Sequence, residues 1–123
     1  MPPGGGGAYA RAVAFDADLA DRIRSLLSHR RGVTEKRMFG GLAFLVNGNM
    51  AVAASREGGL LVRVEPAETD RLLRRAHVRP MEMRGRPMEG WLRVHPDGVR
   101  TKRQLEPWVA RGVTFARSLP AKE

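Results

Sequence analysis

The chain has 123 residues, 42% hydrophobic and 28% charged, an ordinary globular composition for one domain. It has no cysteine, which excludes a disulfide framework, thiolate metal sites and a cysteine nucleophile and fits a cytoplasmic location. The net charge of +9 favours polyanionic partners, yet Arg supplies all but three of the 22 basic residues and they are spread along the chain, as a GC-rich coding bias also produces.

Residues 1–14, MPPGGGGAYARAVA, carry four consecutive glycines and no periodicity. Such a segment cannot offset its ordering entropy, so a flexible tail is expected, with Val13 as an alternative natural start. No apolar run approaches the roughly 20 residues that span a bilayer, and no charged segment followed by an apolar stretch marks a secretory signal. The expected domain covers 15–120, and 121–123 form a short C-terminal tail.

The periodic part begins at Phe15. Asp16 suits an N-cap, and Leu19, Ile23, Leu26 and Leu27 make one helical stripe. Gly32 suits a left-handed exit, with Arg30 and Arg31 at the negative helix end. Residues 38–46, MFGGLAFLV, then Asn47-Gly48, then NMAVAAS read as a β-hairpin, because a two-residue turn of this kind needs positive φ at both positions. Gly40 and Gly41 open a strand that leads into more strand. A phosphate-cradling loop would lead into a helix N-terminus, so a bulge or close backbone packing explains the pair better.

A turn at 57–59 precedes a strand at 60–64. Pro66 starts a short helix over 66–76, with Leu72 and Leu73 facing inward. Residues 78–94 read as two strands around Gly85 and contain RPME twice, an echo better explained by coincidence or hairpin pseudo-symmetry than by a duplicated recognition element. A turn at 95–98 leads to a last helix. Thr101 and Gln104 have capping-box spacing, and Leu105, Trp108, Val109, Val113 and Ala116 form its buried stripe. Pro107 is expected to kink this helix or delay its regular start. The order α-β-β-β-α-β-β-α predicts an α+β, two-layer domain with an antiparallel five-stranded sheet.

No nucleophile, base and orienting group stand together. His29 and His77 sit at helix ends, His95 opens a turn, and none is spaced with a second ligand as a metal site requires. The serines lack a nucleophile-elbow context, and the acids are scattered singly. No catalytic, cofactor-binding or metal-ligating residue is therefore assigned, and an unrecognised enzyme is the least favoured reading. Strand alternation is more informative. Leu42, Phe44, Val46, Met50, Val52, Leu60, Val62, Val64, Met81, Met83, Leu92 and Val94 make a core face. The opposite face carries Phe39, Ala43, Leu45, Ala51, Ala53, Leu61, Arg63, Trp91, Arg93 and His95. With all helices on the core side this second face is open, and Phe39, Arg63, Trp91, Arg93 and His95 are its candidate interaction residues. A protein partner or a second copy of the chain fits that face better than single-stranded bases, because aromatics are only 6% of the residues. The alternative is a nucleic-acid binder using the basic surface.

Three separated blocks, FDADLADRIRSLL with GVTEKRMFGGLAFLVNGNM, VRPMEMRGRPMEGWLRV and WVARGVTFARSLP, resemble in order the N-terminal domain of the TfoX/Sxy family. The resemblance implies a secretion-chaperone-like α+β fold. It also implies a standalone module, without the helix-hairpin-helix-like second domain of the larger members, which are bacterial co-activators of competence genes. Family members often carry cysteine just after the turn; Ala51 and Val52 stand there, so no thiol role is implied. Pro107 also departs from the family pattern. The resemblance assigns no ligand set, so the structural motif Gly40, Gly41, Asn47 and Gly48 is its main marker here.

Overall fold

The computed structural model describes residues 15–38 and 40–122. The expected N-terminal tail, its Val13 start and Phe39 lie outside them. The chain folds as an α+β domain: an open antiparallel sheet with helices packed on one side. Helix α1 spans Ala17–Leu26. Strands β1 Val33–Met38, β2 Gly41–Val46, β3 Asn49–Ala54 and β4 Leu60–Arg63 follow. A 3-10 turn, Pro66–Glu68, leads into α2, Thr69–Leu72. Strands β5 Val78–Met83 and β6 Arg86–Val94 form the next hairpin, and α3 spans Lys102–Ser118. The sheet order is β1-β2-β3-β4-β6-β5.

The sheet has six strands where five were expected. The additional strand, β1, reads VTEKRM and is exposed over its middle four positions. It is an edge strand whose charged side chains guard the open ladder, so it carries no apolar alternation to read. Its register with β2 runs from Val33↔Val46 to Met38↔Gly41. Gly40, at φ 74, supplies the left-handed turn residue between them, and a Cβ on Gly41 would collide with the carbonyl oxygen of Ala54 on β3. The glycine pair is thus a turn plus a close backbone approach.

The Asn47-Gly48 turn has φ of 53 and 83, as the hairpin chemistry requires. Gly48 also lies against the chain end: the Lys122 N–H donates to the Asn47 carbonyl (2.8 Å), and Asn49 Nδ2 donates to the Pro120 carbonyl (2.9 Å). A Cβ at 48 would strike Lys122.

Asp16 caps α1 through the Leu19 N–H (3.1 Å). Both halves of the Thr101–Gln104 capping box form, at 3.1 and 3.0 Å. Helix α3 runs from Lys102 to Ser118 with Pro107 inside it, and every residue of its expected stripe is buried. The helix expected over 66–76 is shorter. Beyond Leu73 the bonds tighten to i→i−3, Arg74 to Arg71 and Arg75 to Leu72, and His77 at φ 70 ends the segment.

The main core lies between the sheet and α1 and α3, around Ile23, Phe44, Val52, Leu60, Val62, Leu92, Leu105 and Val113. A second cluster on the other sheet face joins Ala43, Leu45, Met50, Ala53, Leu61 and Met81, with Met38, Met88 and Trp91 packed against it. Two bulges change the expected faces. Between Phe44↔Val52 and Leu45↔Met50 the extra residue is Ala51, so Met50 turns to the second face and Ala51 joins the main core. Between Pro80↔Leu92 and Glu82↔Pro87 the register shifts again, and Met81 joins the second cluster rather than the main core. Met83, expected inside, is exposed.

Candidate functional site

The second sheet face is not open at its centre. Ala43, Ala53 and Leu61 are fully buried and Leu45 nearly so. What reaches solvent is its rim toward β4, β6 and β5. Arg63 and Trp91 are direct cross-strand partners, and the Arg63 guanidinium carbon stands 5.0 Å from the Trp91 ring centroid. The same carbon is 5.3 Å from the Phe115 ring, so Arg63 links the sheet rim to the end of α3. Trp91 is half-buried against the methionine cluster.

Arg93, two residues along β6, pairs with Leu61 on one side and Arg79 on the other. Its Nη1 donates to the hydroxyl of buried Ser55 (3.0 Å), and its Nη2 lies 3.5 Å from Glu57 Oε2. Arg79 Nη2 lies 3.4 Å from the other oxygen, Glu57 Oε1. One carboxylate is therefore shared by two guanidinium groups.

His95 follows β6 and opens the 3-10 turn Pro96–Gly98. Its Nδ1 accepts from the Asp97 N–H (3.0 Å), and its ring stacks on His77 with centroids 6.0 Å apart and planes 29° apart. The Asp97 carboxyl is held below its ordinary value by a hydrogen bond from Arg100 (2.5 Å). A groove of about 450 Å³ runs here, lined by Glu57, His77, Arg79, Arg93, His95 and Asp97 among others. A second, of about 440 Å³, adjoins it through the shared residues Glu57, Arg79 and Arg93.

The structure thus brings Arg63, Trp91 and Arg93 together on one rim and places His95 past its end; Phe39 lies outside the described residues. Glu57 and Arg79 carry no signal in the sequence, and His77 reads there only as a helix-end residue. They are single charged or polar residues in separate turns and strands, and only the β4-β6-β5 order makes them neighbours. Among the described residues no group of three His, Asp or Glu could hold a metal ion. None of their helices is long and apolar enough to cross a membrane. Chemically, the rim offers guanidinium groups for carboxylate or phosphate and a cation-backed indole for stacking.

The model of the TfoX N-terminal domain family matches residues 25–116, which contain the whole sheet and most of α3. No curated protein and no solved structure matches the chain.

Proposed function

The chain belongs to the TfoX N-terminal domain family, and we propose on that premise that it is a non-catalytic cytoplasmic module acting by contact with a protein partner or a second copy of itself. In this reading it is an accessory factor in transcription or competence control. The observation that carries the reading is the rim of Arg63, Trp91 and Arg93. Arg63 and Trp91 are cross-strand partners on β4 and β6, Arg93 lies two residues along β6, and Trp91 packs against the second-face cluster that contains Met50 and Met81. Tryptophan, methionine and arginine are the residue types enriched where proteins meet.

Light scattering and pull-down with Trp91→Ala and Arg93→Glu test it. Wild type is expected to self-associate or retain a partner that both variants lose. A strictly monomeric wild type whose captured proteins neither change alters would end the reading.

The net charge of +9 favours a second reading, nucleic-acid binding. Against it, Glu57, Glu82 and Asp97 line the same grooves as Arg79 and Arg93, so no continuous basic track runs across them.

A further inference from the structure

The loop that turns β3 into β4 places Glu57 between two arginines of the next hairpin, and its geometry resembles a bound ligand more than a structural lock. Glu57 Oε1 faces Arg79 at 3.4 Å and Oε2 faces Arg93 at 3.5 Å, both longer than a well-formed charge-assisted hydrogen bond. The Glu57 side chain is 57% exposed. Exposed ion pairs of this kind contribute little to stability, so the carboxylate can leave at small cost.

The arginines differ from it. Arg93 is only 18% exposed and is held from behind by Ser55 Oγ at 3.0 Å. The same hydroxyl accepts the Glu57 N–H at 3.1 Å, which keeps the turn's backbone in place whatever its side chain does. The seat is thus more firmly positioned than its present occupant, and it opens into the two adjoining grooves, which give room for chain on either side of a carboxylate.

We propose that Arg79 and Arg93 form a seat for an acidic side chain of a protein partner, and that Glu57 occupies it in the free chain as a built-in competitor. This rests on the protein-contact reading above and names the partner's chemistry: an acidic peptide segment. A phosphodiester strand fits less well. It presents a charge at every residue, and Glu57, Glu82 and Asp97 would repel its neighbours on both sides of the seat. A single Glu or Asp flanked by uncharged residues meets only the two guanidinium groups.

A capped peptide carrying one Glu flanked by Ala and Ser is the probe, titrated calorimetrically into the full chain at about 0.15 M salt, where generic attraction is screened beyond roughly 8 Å. Removing an internal competitor raises the fraction of open seats. Glu57→Ala is expected to bind the peptide roughly two- to six-fold tighter than wild type. Arg93→Ala is expected to lose binding. Arg79→Ala, at a side chain 68% exposed and therefore no burden on folding, is expected to lose it as well. Arg30→Ala with Arg31→Ala, beside the opposite edge of the sheet, is expected to change nothing.

No tightening in Glu57→Ala, equal losses from the Arg30 and Arg31 changes, or no binding by any variant would overturn the seat. Tighter binding of a single-stranded oligonucleotide than of the peptide would move the site to nucleic acid and overturn it too. If the seat fails while Trp91→Ala still releases a partner, the contact face stands and only its acidic ligand is wrong.

Discussion

A Cβ on Gly112 would stand 2.5 Å from the carbonyl oxygen of Ala51 and 2.9 Å from Val52 Cγ1. Helix α3 therefore rests on bare backbone of β3, at the residue that the bulge pushes into the main core. Two effects oppose each other in Gly112→Ala. Helix propensity favours Ala by about 1 kcal/mol. Forcing an atom into a packed core costs typically 1–3 kcal/mol, and a backbone oxygen cannot swing aside as a side chain can. The clash should win, with a net loss of up to about 2 kcal/mol. Urea unfolding measures it, and a midpoint raised above wild type would show that α3 does not sit this close.

Gly48 and Lys122 are expected to be coupled. Gly48→Ala suffers a left-handed backbone, costing about 1–2 kcal/mol, and also displaces the chain end from the hairpin turn. Truncation after Leu119 removes the second penalty but not the first. The double change should therefore cost less than the two single changes added, by about 0.5 kcal/mol or more in a denaturation cycle. Strict additivity would mean that residues 120–122 do not rest on the turn.

Glu35 on β1 accepts from Arg24 on α1 at 2.5 and 2.8 Å, and this hydrogen bonding holds its carboxyl below the ordinary 4.5. A depressed carboxylate stabilises the fold above its unfolded value, and that stabilisation is lost as pH falls through the folded value. Both side chains are over a third exposed, so screening limits the pair to about 0.2–1 kcal/mol. Glu35→Gln should melt below wild type at neutral pH and converge with it in acid. A gap that persists in acid would assign the loss to something other than this charge pair.

Electrophoretic mobility shifts across a salt series separate the two functional readings. The protein-contact account expects any DNA or RNA shift to fade by physiological salt, because scattered arginines supply only counterion release. Retention there, with discrimination between sequences, would favour the nucleic-acid reading.

Features written in short-range chemistry were legible in the sequence. Asn47-Gly48 demands positive φ, and Thr101 with Gln104 satisfies helix-end donors, so each is decided within four residues. Strand β1 was not legible, because an edge strand that reads VTEKRM buries almost nothing and follows no alternation. The sheet faces were legible only until the first bulge. One extra residue at Ala51 exchanges the faces of Met50 and Ala51, and nothing local in NMAVAAS announces it. The Glu57–Arg79–Arg93 cluster was the least accessible. Its members are separated by at least 14 positions, and the strand order that joins them is a property of the whole sheet.

In the proposed function the rim around Trp91 meets a protein. A photoactivatable phenylalanine placed at position 91, irradiated in living cells of the native host, tests it most directly. The expected result is a discrete protein adduct that disappears when Arg93→Glu is added. Adducts to nucleic acid alone, or no adduct from a folded and well-expressed chain, would contradict it.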